Sequence, residues 1–230
     1  MSQRMTLITA PCFVPEVRLS KIDNLQELFD APRPLSLEIG CGVGDFIVQL
    51  AGRNPDQNFI AIDIFNRGCN QTCNRIEEAG LTNIRILRTE ARSLLLRHTK
   101  TQNLRAIYIN CPDPWPKKRH RKRRMVNAEF LKIALWCLEE EGHFHFSTDF
   151  VDYGVEVGEL LSATPGFVNQ HATPHTHDLG DYPISKYMRR FLELGQPIYY
   201  CHYRRQPGID VPAPPEPKKG FRLRWAEQRA

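Results

Sequence analysis

Residues 35–44 read Leu-Ser-Leu-Glu-Ile-Gly-Cys-Gly-Val-Gly, an apolar run of strand length that ends in three alternating glycines. A segment of helix length, residues 45–52, follows directly. Glycines let the backbone turn tightly and approach a ligand closely, and the first turn of a helix presents free N–H groups. This stretch therefore predicts a buried strand, a ligand-binding loop and a helix, in that order.

Segments of strand length and helix length alternate along the rest of the chain. The predicted strands cover residues 35–39, 58–64, 83–87, 105–110 and 142–147. The predicted helices cover residues 45–52, 67–79, 91–98, 127–139 and 151–162. Such alternation is typical of βαβ units, in which helices cover both faces of a parallel sheet. We therefore expect an α/β fold.

Three regions of the chain differ in composition. Residues 1–34 form an N-terminal extension, in which a short amphipathic helix is predicted over residues 20–30. Residues 35–205 carry the alternating elements and form the main domain. Residues 206–230 form a proline-rich, basic C-terminal tail, and Trp225 within it either docks the tail or stacks on RNA.

The net charge of +5 is concentrated in a few places. Seven of the eight residues from 117 to 124 are Lys or Arg, and the tail is also basic, so the remaining body is acidic. This asymmetry predicts a polyanionic partner that is held at particular places. No apolar run approaches the roughly 20 residues of a membrane helix. The seven cysteines are scattered, which favours a reduced, cytoplasmic compartment.

Acidic residues surround the glycine loop. Glu38 precedes its first glycine by two positions, Asp63 ends the second predicted strand, and Glu90 follows the third. An acid at the position of Asp63 is suited to a ribose diol. An acidic cradle suits a cation such as S-adenosylmethionine, which carries a sulfonium and an ammonium, better than a pyrophosphate. The alternative, a nicotinamide-dependent oxidoreductase, requires GxGxxG, whereas this loop reads GxGxG.

A proline-rich and then basic segment follows the fourth predicted strand. Residues 107–124 read IYINCPDPWPKKRHRKRR. Their three prolines stiffen the backbone and present Asp113 and Trp115 at the carboxyl edge of the sheet. The lysines and arginines match the needs of a phosphate backbone, and the indole offers a face on which a base can stack.

The run Pro-Asp-Pro-Trp-Pro-Lys followed by Arg-His-x-Lys-Arg-Arg resembles the signature of the bacterial tRNA (guanine-N(7))-methyltransferase family. The similarity spans about residues 35–204, including the glycine loop, residues 147–149 and residues 185–187. It implies a Rossmann-like S-adenosylmethionine methyltransferase fold with a mostly parallel, seven-stranded sheet covered by helices on both faces. It also implies methyl transfer from S-adenosylmethionine to nitrogen-7 of a tRNA guanosine, expected in the variable loop.

The resemblance also implies roles for individual residues. The expected contacts to S-adenosylmethionine are Glu38, Gly40, Gly42, Gly44, Asp63, Glu90 and Asp113. Asp113 is in addition the expected catalytic acid. The expected substrate contacts are Lys117, Asp149, Ser185, Lys186, Tyr187 and Met188. The expected RNA contacts are Arg119, His120, Arg121, Lys122, Arg123 and Arg124.

One departure from the family pattern affects the expected substrate site. Met188 stands where the family has a carboxylate that could accept hydrogen bonds from guanine, and a thioether cannot replace it in that role. The alternative is therefore a catalytically weakened or altered-specificity RNA-binding paralogue. We expect no metal, because His171, His175 and His177 lie scattered in a loop rich in Thr and Pro. We expect tRNA as the partner, no obligatory protein partner, and a monomer or homodimer.

Overall fold

The computed structural model describes residues 6–214. Its strands are β1 (Phe13–Val14), β2 (Leu35–Ile39), β3 (Asn58–Asp63), β4 (Ile84–Arg88), β5 (Leu104–Asn110), β6 (Leu138–Thr148), β7 (Phe167–Asn169) and β8 (Tyr199–Arg205). Its helices are α1 (Glu16–Leu19), α2 (Asp45–Arg53), α3 (Asn66–Glu78), α4 (Ala91–His98), α5 (Ala128–Cys137), α6 (Val151–Ala163) and α7 (Lys186–Glu193). Two short 3-10 helices cover Leu25–Leu28 and Lys118–Arg123. Within residues 6–214, every helix is too short or too polar to cross a membrane.

The strands form a single sheet in the order β1-β4-β3-β2-β5-β6-β8-β7. Neighbouring strands from β1 to β6 in this order are parallel, whereas β8 runs antiparallel to both β6 and β7. The predicted α/β class is confirmed, but the described part of the chain has eight strands in its sheet and not seven. β1 pairs with the edge of β4 over only two residues, which is too short to leave a periodic pattern in the sequence.

Two other predicted boundaries are wrong. The helix predicted over residues 20–30 is a single 3-10 turn, Leu25–Leu28, because Asn24 and Glu27 close a capping box around it. β6 begins at Leu138, inside the predicted end of α5 and four residues before the predicted strand. Glu141 adopts a left-handed conformation with φ of 61°, and the register against β5 shifts here, so this half of β6 lacks a regular alternation.

The central strands are buried on both faces. Along β3, Ile60 and Ile62 pack with the cluster that contains α4, α5 and α6, whereas Phe59 and Ala61 pack with α2 and α3. This alternation has the two-residue period of a strand. Both faces of the central strands are therefore covered by helices, as is typical of a parallel sheet.

The glycine loop is pressed against α3. Gly44 caps the start of α2 with φ of 83°, and a Cβ atom at this position would lie 2.6 Å from Cγ2 of Thr72. Gly68, near the start of α3, would place a Cβ 2.5 Å from the carbonyl oxygen of Gly42. Neither glycine can therefore be enlarged without displacing the loop or α3.

We predict that Gly44→Ala lowers the free energy of unfolding by about 2 kcal/mol or more, because it combines a left-handed conformation with the clash against Thr72. Urea unfolding followed by circular dichroism measures this change. Gly52→Ala is the matched control, since its Cβ would meet nothing within 4 Å on the same helix, and we expect a gain of about 0.5–1 kcal/mol. Equal effects of the two substitutions would contradict the proposed constraint.

Candidate active site at the carboxyl edge of the sheet

The site lies where the order of the strands reverses. β2 has β3 on one side and β5 on the other, so the loops after β2 and β5 leave the sheet in opposite directions. The resulting crevice lies at the carboxyl ends of the strands. The glycine loop follows β2 and the proline-rich basic segment follows β5, so the two strongest sequence motifs border this crevice.

The first wall of the crevice is the glycine loop. Gly40 and Gly42 have φ values of 78° and 58°, and the space in front of both Cα atoms is open. The N–H of Gly42 donates to Oδ2 of Asp63 at 2.8 Å, and the N–H of Phe65 donates to Oδ1 at 2.8 Å. Asp63 therefore holds the loop in place from the end of β3, in addition to its predicted role toward a ligand.

Glu38 is the most deeply buried acid of the site. Its Oε1 accepts a hydrogen bond from Nδ2 of Asn110 at 3.3 Å, whereas its Oε2 is buried and has no partner among residues 6–214. Burial raises the pKa of Glu38 to about 8. The charges of Asp63 and Asp45 contribute to this increase, whereas the hydrogen bond from Asn110 opposes it. A buried carboxyl group with a free oxygen is suited to a cationic ligand.

Asn110 joins the elements that form the floor of the site. Its Oδ1 accepts hydrogen bonds from Oγ of Ser147 at 2.9 Å and from the hydroxyl of Tyr182 at 2.8 Å, while its amide reaches Glu38. Burial raises the pKa of Tyr182 well above its ordinary value, so its hydroxyl remains a donor. Sequence reasoning missed Asn110 and Tyr182. The only available signal was the polar end that Asn110 gives to the otherwise largely apolar strand β5.

Asp113 and Asp149 approach the crevice from its second side. Asp113 is exposed. The pKa of Asp63 is raised mainly by its own burial, and the charge of Asp113 contributes to this increase, so these two acids are neighbours. Asp149 is half-buried, which raises its pKa, and it lies beside Cys111. The N–H of Cys111 donates to the carbonyl of Ser147 at 2.8 Å, and this bond joins the proline-rich segment to the end of β6.

Trp115 has an unusual backbone. Its φ is 44°, a left-handed conformation that costs free energy in a bulky residue and is common at functional sites. The guanidinium of Arg123 lies 4.8 Å from the centre of the indole ring, and the edge of His120 approaches it at 5.9 Å. One face of the predicted base-stacking platform is therefore covered by a residue of the basic run.

The residues of the basic run are not equivalent. Lys117, Lys118, Arg119, Lys122 and Arg123 are exposed. Arg121 donates to Asp152 of α6 at 2.8 Å, but such exposed pairs contribute only about 0–1 kcal/mol, so Arg121 can exchange this carboxylate for a phosphate.

Arg124 requires a correction. It is buried, pairs with Glu156, donates to the carbonyl of Pro114 at 2.9 Å, and packs against the ring of Tyr153. Its guanidinium therefore holds the proline-rich segment against α6. The predicted RNA contact of Arg124 is not compatible with this placement.

Residues 185–188 lie at the start of α7. Oγ of Ser185 accepts a hydrogen bond from the N–H of Met188 at 3.3 Å, and Sδ of Met188 accepts one from the N–H of Ser185 at 3.4 Å. Met188 is fully buried with Ile198 and Tyr200. The predicted substrate contact of Met188 is therefore corrected to a structural role, because the thioether closes a capping box in the place of a carboxylate.

The other two residues of this motif remain available to a ligand. Lys186 and Tyr187 are exposed, and Lys186 borders a pocket of about 240 Å³ together with Val43 of the glycine loop. Nε2 of Gln49 on α2 donates to the carbonyl of Ile184 at 3.1 Å, which fixes the start of α7 near the loop.

Glu90 already has partners on its own helix. Its Oε2 accepts a hydrogen bond from the N–H of Ser93 at 2.9 Å and thereby caps α4, and its Oε1 lies 3.8 Å from Arg92. The predicted contact of Glu90 to a ligand has to be made from this capped position after β4.

Solved structures of methyltransferases have a similar fold. A 16S rRNA methyltransferase, KamB, aligns with a TM-score of 0.58 and 12% identity over 89% of this chain and 97% of its own. A 16S rRNA (adenine(1408)-N(1))-methyltransferase from Catenulisporales acidiphilia, solved with the cosubstrate SAM, aligns with a TM-score of 0.53 and 15% identity, covering 77% and 88% of the two chains. The chain therefore has the Rossmann-like fold of class I methyltransferases, with the glycine loop and its acids at the carboxyl edge of the sheet.

Relatives that are similar in sequence identify the family to which the chain belongs. The family model described as a putative methyltransferase matches residues 32–201. A tRNA (guanine-N(7)-)-methyltransferase from Syntrophotalea carbinolica is 48% identical over 98% of both chains, and one from Geobacter metallireducens is 45% identical over 88% of this chain and 97% of its own. The chain belongs to the tRNA (guanine-N(7)-)-methyltransferase family, so the resemblance is confirmed and the oxidoreductase alternative is wrong.

We predict that Glu38→Gln changes how stability depends on pH. The folded pKa of about 8 lies above the ordinary carboxyl value, so the folded protein holds a proton that the unfolded chain has lost. The proton on Glu38 contributes fully to the free energy of unfolding at low pH, and this contribution is lost as the pH rises to 8. The free energy of unfolding of the wild type, relative to the variant, should therefore fall between pH 5 and 8 by up to about 1.4 kcal/mol per pH unit.

Urea unfolding of both proteins across this range measures the difference. Glu159→Gln removes an exposed carboxyl of α6 and is the matched control, which should follow the wild type. Parallel curves for the wild type and Glu38→Gln would contradict the raised pKa.

Proposed function

We propose that this chain transfers the methyl group of S-adenosylmethionine to nitrogen-7 of a guanosine in tRNA, and that this guanosine lies in the variable loop. The observation that carries the proposal is the 48% identity, over 98% of both chains, with a relative named for this activity. We further propose that the protein acts in the cytoplasm as a monomer or homodimer without an obligatory protein partner. The seven cysteines are all free thiols, which supports a reducing compartment.

The glycine loop and its acids fit S-adenosylmethionine. The buried Oε2 of Glu38 lacks a hydrogen-bond partner among the described residues, and the space in front of Gly40 and Gly42 is open. Glu38 would face the positively charged part of the ligand, and Asp63 would accept from a ribose hydroxyl while it holds the loop. When bound, the ligand supplies an electrophilic methyl group on its sulfonium.

Nitrogen-7 of neutral guanine carries a lone pair and no proton, so the chain needs no general base to create the nucleophile. Its main task is to align the base with the methyl group, and positioning of this kind can remove much of the barrier. Positive charge then moves onto the purine ring. Asp113, which is a neighbour of Asp63, would stabilise that charge with Asp149 in support, and Lys117 would contact the guanosine.

The exposed basic residues and Trp115 form one lip of the crevice. Lys118, Arg119, Lys122 and Arg123 can neutralise phosphates of tRNA without losing a structural contact to a carboxylate. Arg124 instead fastens the lip to α6, whereas Arg121 can release Asp152 to bind a phosphate. The weakened-paralogue alternative was motivated by Met188, and the burial of this residue in a helix cap removes that motive.

We predict that Asp113→Asn lowers kcat for 7-methylguanosine formation about a hundredfold, because the substituted amide cannot stabilise the positive charge on the purine. Incorporation from methyl-labelled S-adenosylmethionine into tRNA, followed by nucleoside mass spectrometry, measures both rate and product. Asp56→Asn removes an exposed acid at the amino end of β3 and should leave kcat unchanged. Formation of a different methylated nucleoside by the wild type would refute the proposed function.

We predict that Arg119→Ser combined with Lys122→Ser weakens tRNA binding and reduces the slope of log affinity against log salt by about 1–2, because up to two phosphate contacts are lost. Filter binding at several salt concentrations measures the slope. Arg97→Ser combined with Lys100→Ser removes the same charge from the end of α4 and should leave the slope unchanged. An unchanged slope in the first variant would place the RNA elsewhere.

A further inference from the structure

Three histidines converge on the face of the sheet that lies beside the loop leading to α7. His143 and His145 are two residues apart on β6, so their side chains share one face, and His202 on β8 is the register partner of His145. One ring nitrogen from each lies within 4.8 Å of the other two. We propose that His143, His145 and His202 bind a divalent transition-metal ion of the zinc class.

The ring nitrogens are close enough for one ion, but the rings must rotate to bind it. Nδ1 of His143 lies 2.9 Å from Nε2 of His202, and the rings of His145 and His202 stack with their centres 4.1 Å apart. Zinc holds imidazole nitrogens at about 2.0–2.1 Å, which places the nitrogens of a tetrahedral site about 3.3 Å from one another. The metal would therefore replace the His143–His202 hydrogen bond, and the ring of His145 or His202 would turn out of their stack, because the nitrogen lone pair lies in the plane of the ring.

Two cationic side chains lie near the cluster, and a metal site requires that their charges be compensated. They are Arg105 and Arg204, whose charges act on His143. These two arginines pair with Glu139 and Glu141, which reduces their repulsion of a cation.

Two buried imidazole nitrogens near the cluster have no hydrogen-bond partner within residues 6–214. One is Nδ1 of His145, and the other is Nε2 of His171. The ring of His171, in the loop after β7, lies 5.8 Å from that of His202, so His171 is the natural fourth ligand. His175 and His177, which the sequence grouped with His171, instead pack against Tyr199.

The metal would stabilise the structure of the protein and would take no part in methyl transfer. The ring of His145 stacks on Tyr108 at 4.7 Å and lies 5.6 Å from Tyr182, whose hydroxyl joins the Asn110 network. A metal that ties His171 to the sheet would therefore hold the loop that carries Tyr182. Its role is structural support behind the site.

Titration of the full-length, chelator-treated protein with Zn²⁺ tests the site by calorimetry and by thermal melting. We expect one equivalent to bind and to raise the Tm. His143→Gln combined with His202→Gln should abolish both effects, and His171→Gln should weaken binding about tenfold or more. His175→Gln combined with His177→Gln is the matched control and should bind as the wild type does.

Co²⁺ provides a test that does not depend on a variant that folds. The wild-type complex should show the visible absorption of four-coordinate cobalt without the ultraviolet band of thiolate ligation, because the ligands are imidazoles. A thiolate band would assign the metal to cysteines and overturn the proposal. Binding of less than one equivalent to the wild type, or equal binding by the folded His143/His202 double variant, would also overturn it.

Discussion

The burial of the Glu38 carboxyl group at the end of β2 is the constraint around which the site is arranged. A carboxyl group in this position must find a hydrogen bond, a proton or a cation. Asn110 supplies one bond and is itself held by Ser147 and Tyr182, so three strands and the loop before α7 meet at one amide. The second carboxylate oxygen is left for a ligand, and the open glycine loop lies directly beside it.

The basic lip shows how one run of like charges can serve two purposes. Arg124 is buried against Tyr153 and Glu156 and closes the proline-rich segment onto α6. Its neighbours Lys122 and Arg123 are exposed, because a 3-10 helix turns successive side chains to different sides. The fold therefore buries one arginine of the basic run as an anchor and leaves its neighbours exposed and charged.

Local pattern predicted most of the fold. The strand Leu35–Ile39 and the helix Ala91–His98 lie where the sequence placed them, because each has a complete apolar pattern and a clear boundary. Contacts between distant residues were not predictable. Tyr182 meets Asn110 across 72 positions, and the histidines of β6 and β8 meet only through an antiparallel pairing. The burial of Arg124 was hidden because a charge run gives no sign of which member faces inward.

Because Arg123 covers one face of Trp115, the charge and the aromatic ring of the lip depend on each other. A guanidinium can lie on the indole or turn outward to a phosphate, and it cannot do both at once. If a phosphate of a nucleic acid drew the arginine away, the covered face of the indole would be exposed at the same moment and in the same place. Charge neutralisation and base stacking would then be coupled events at this lip.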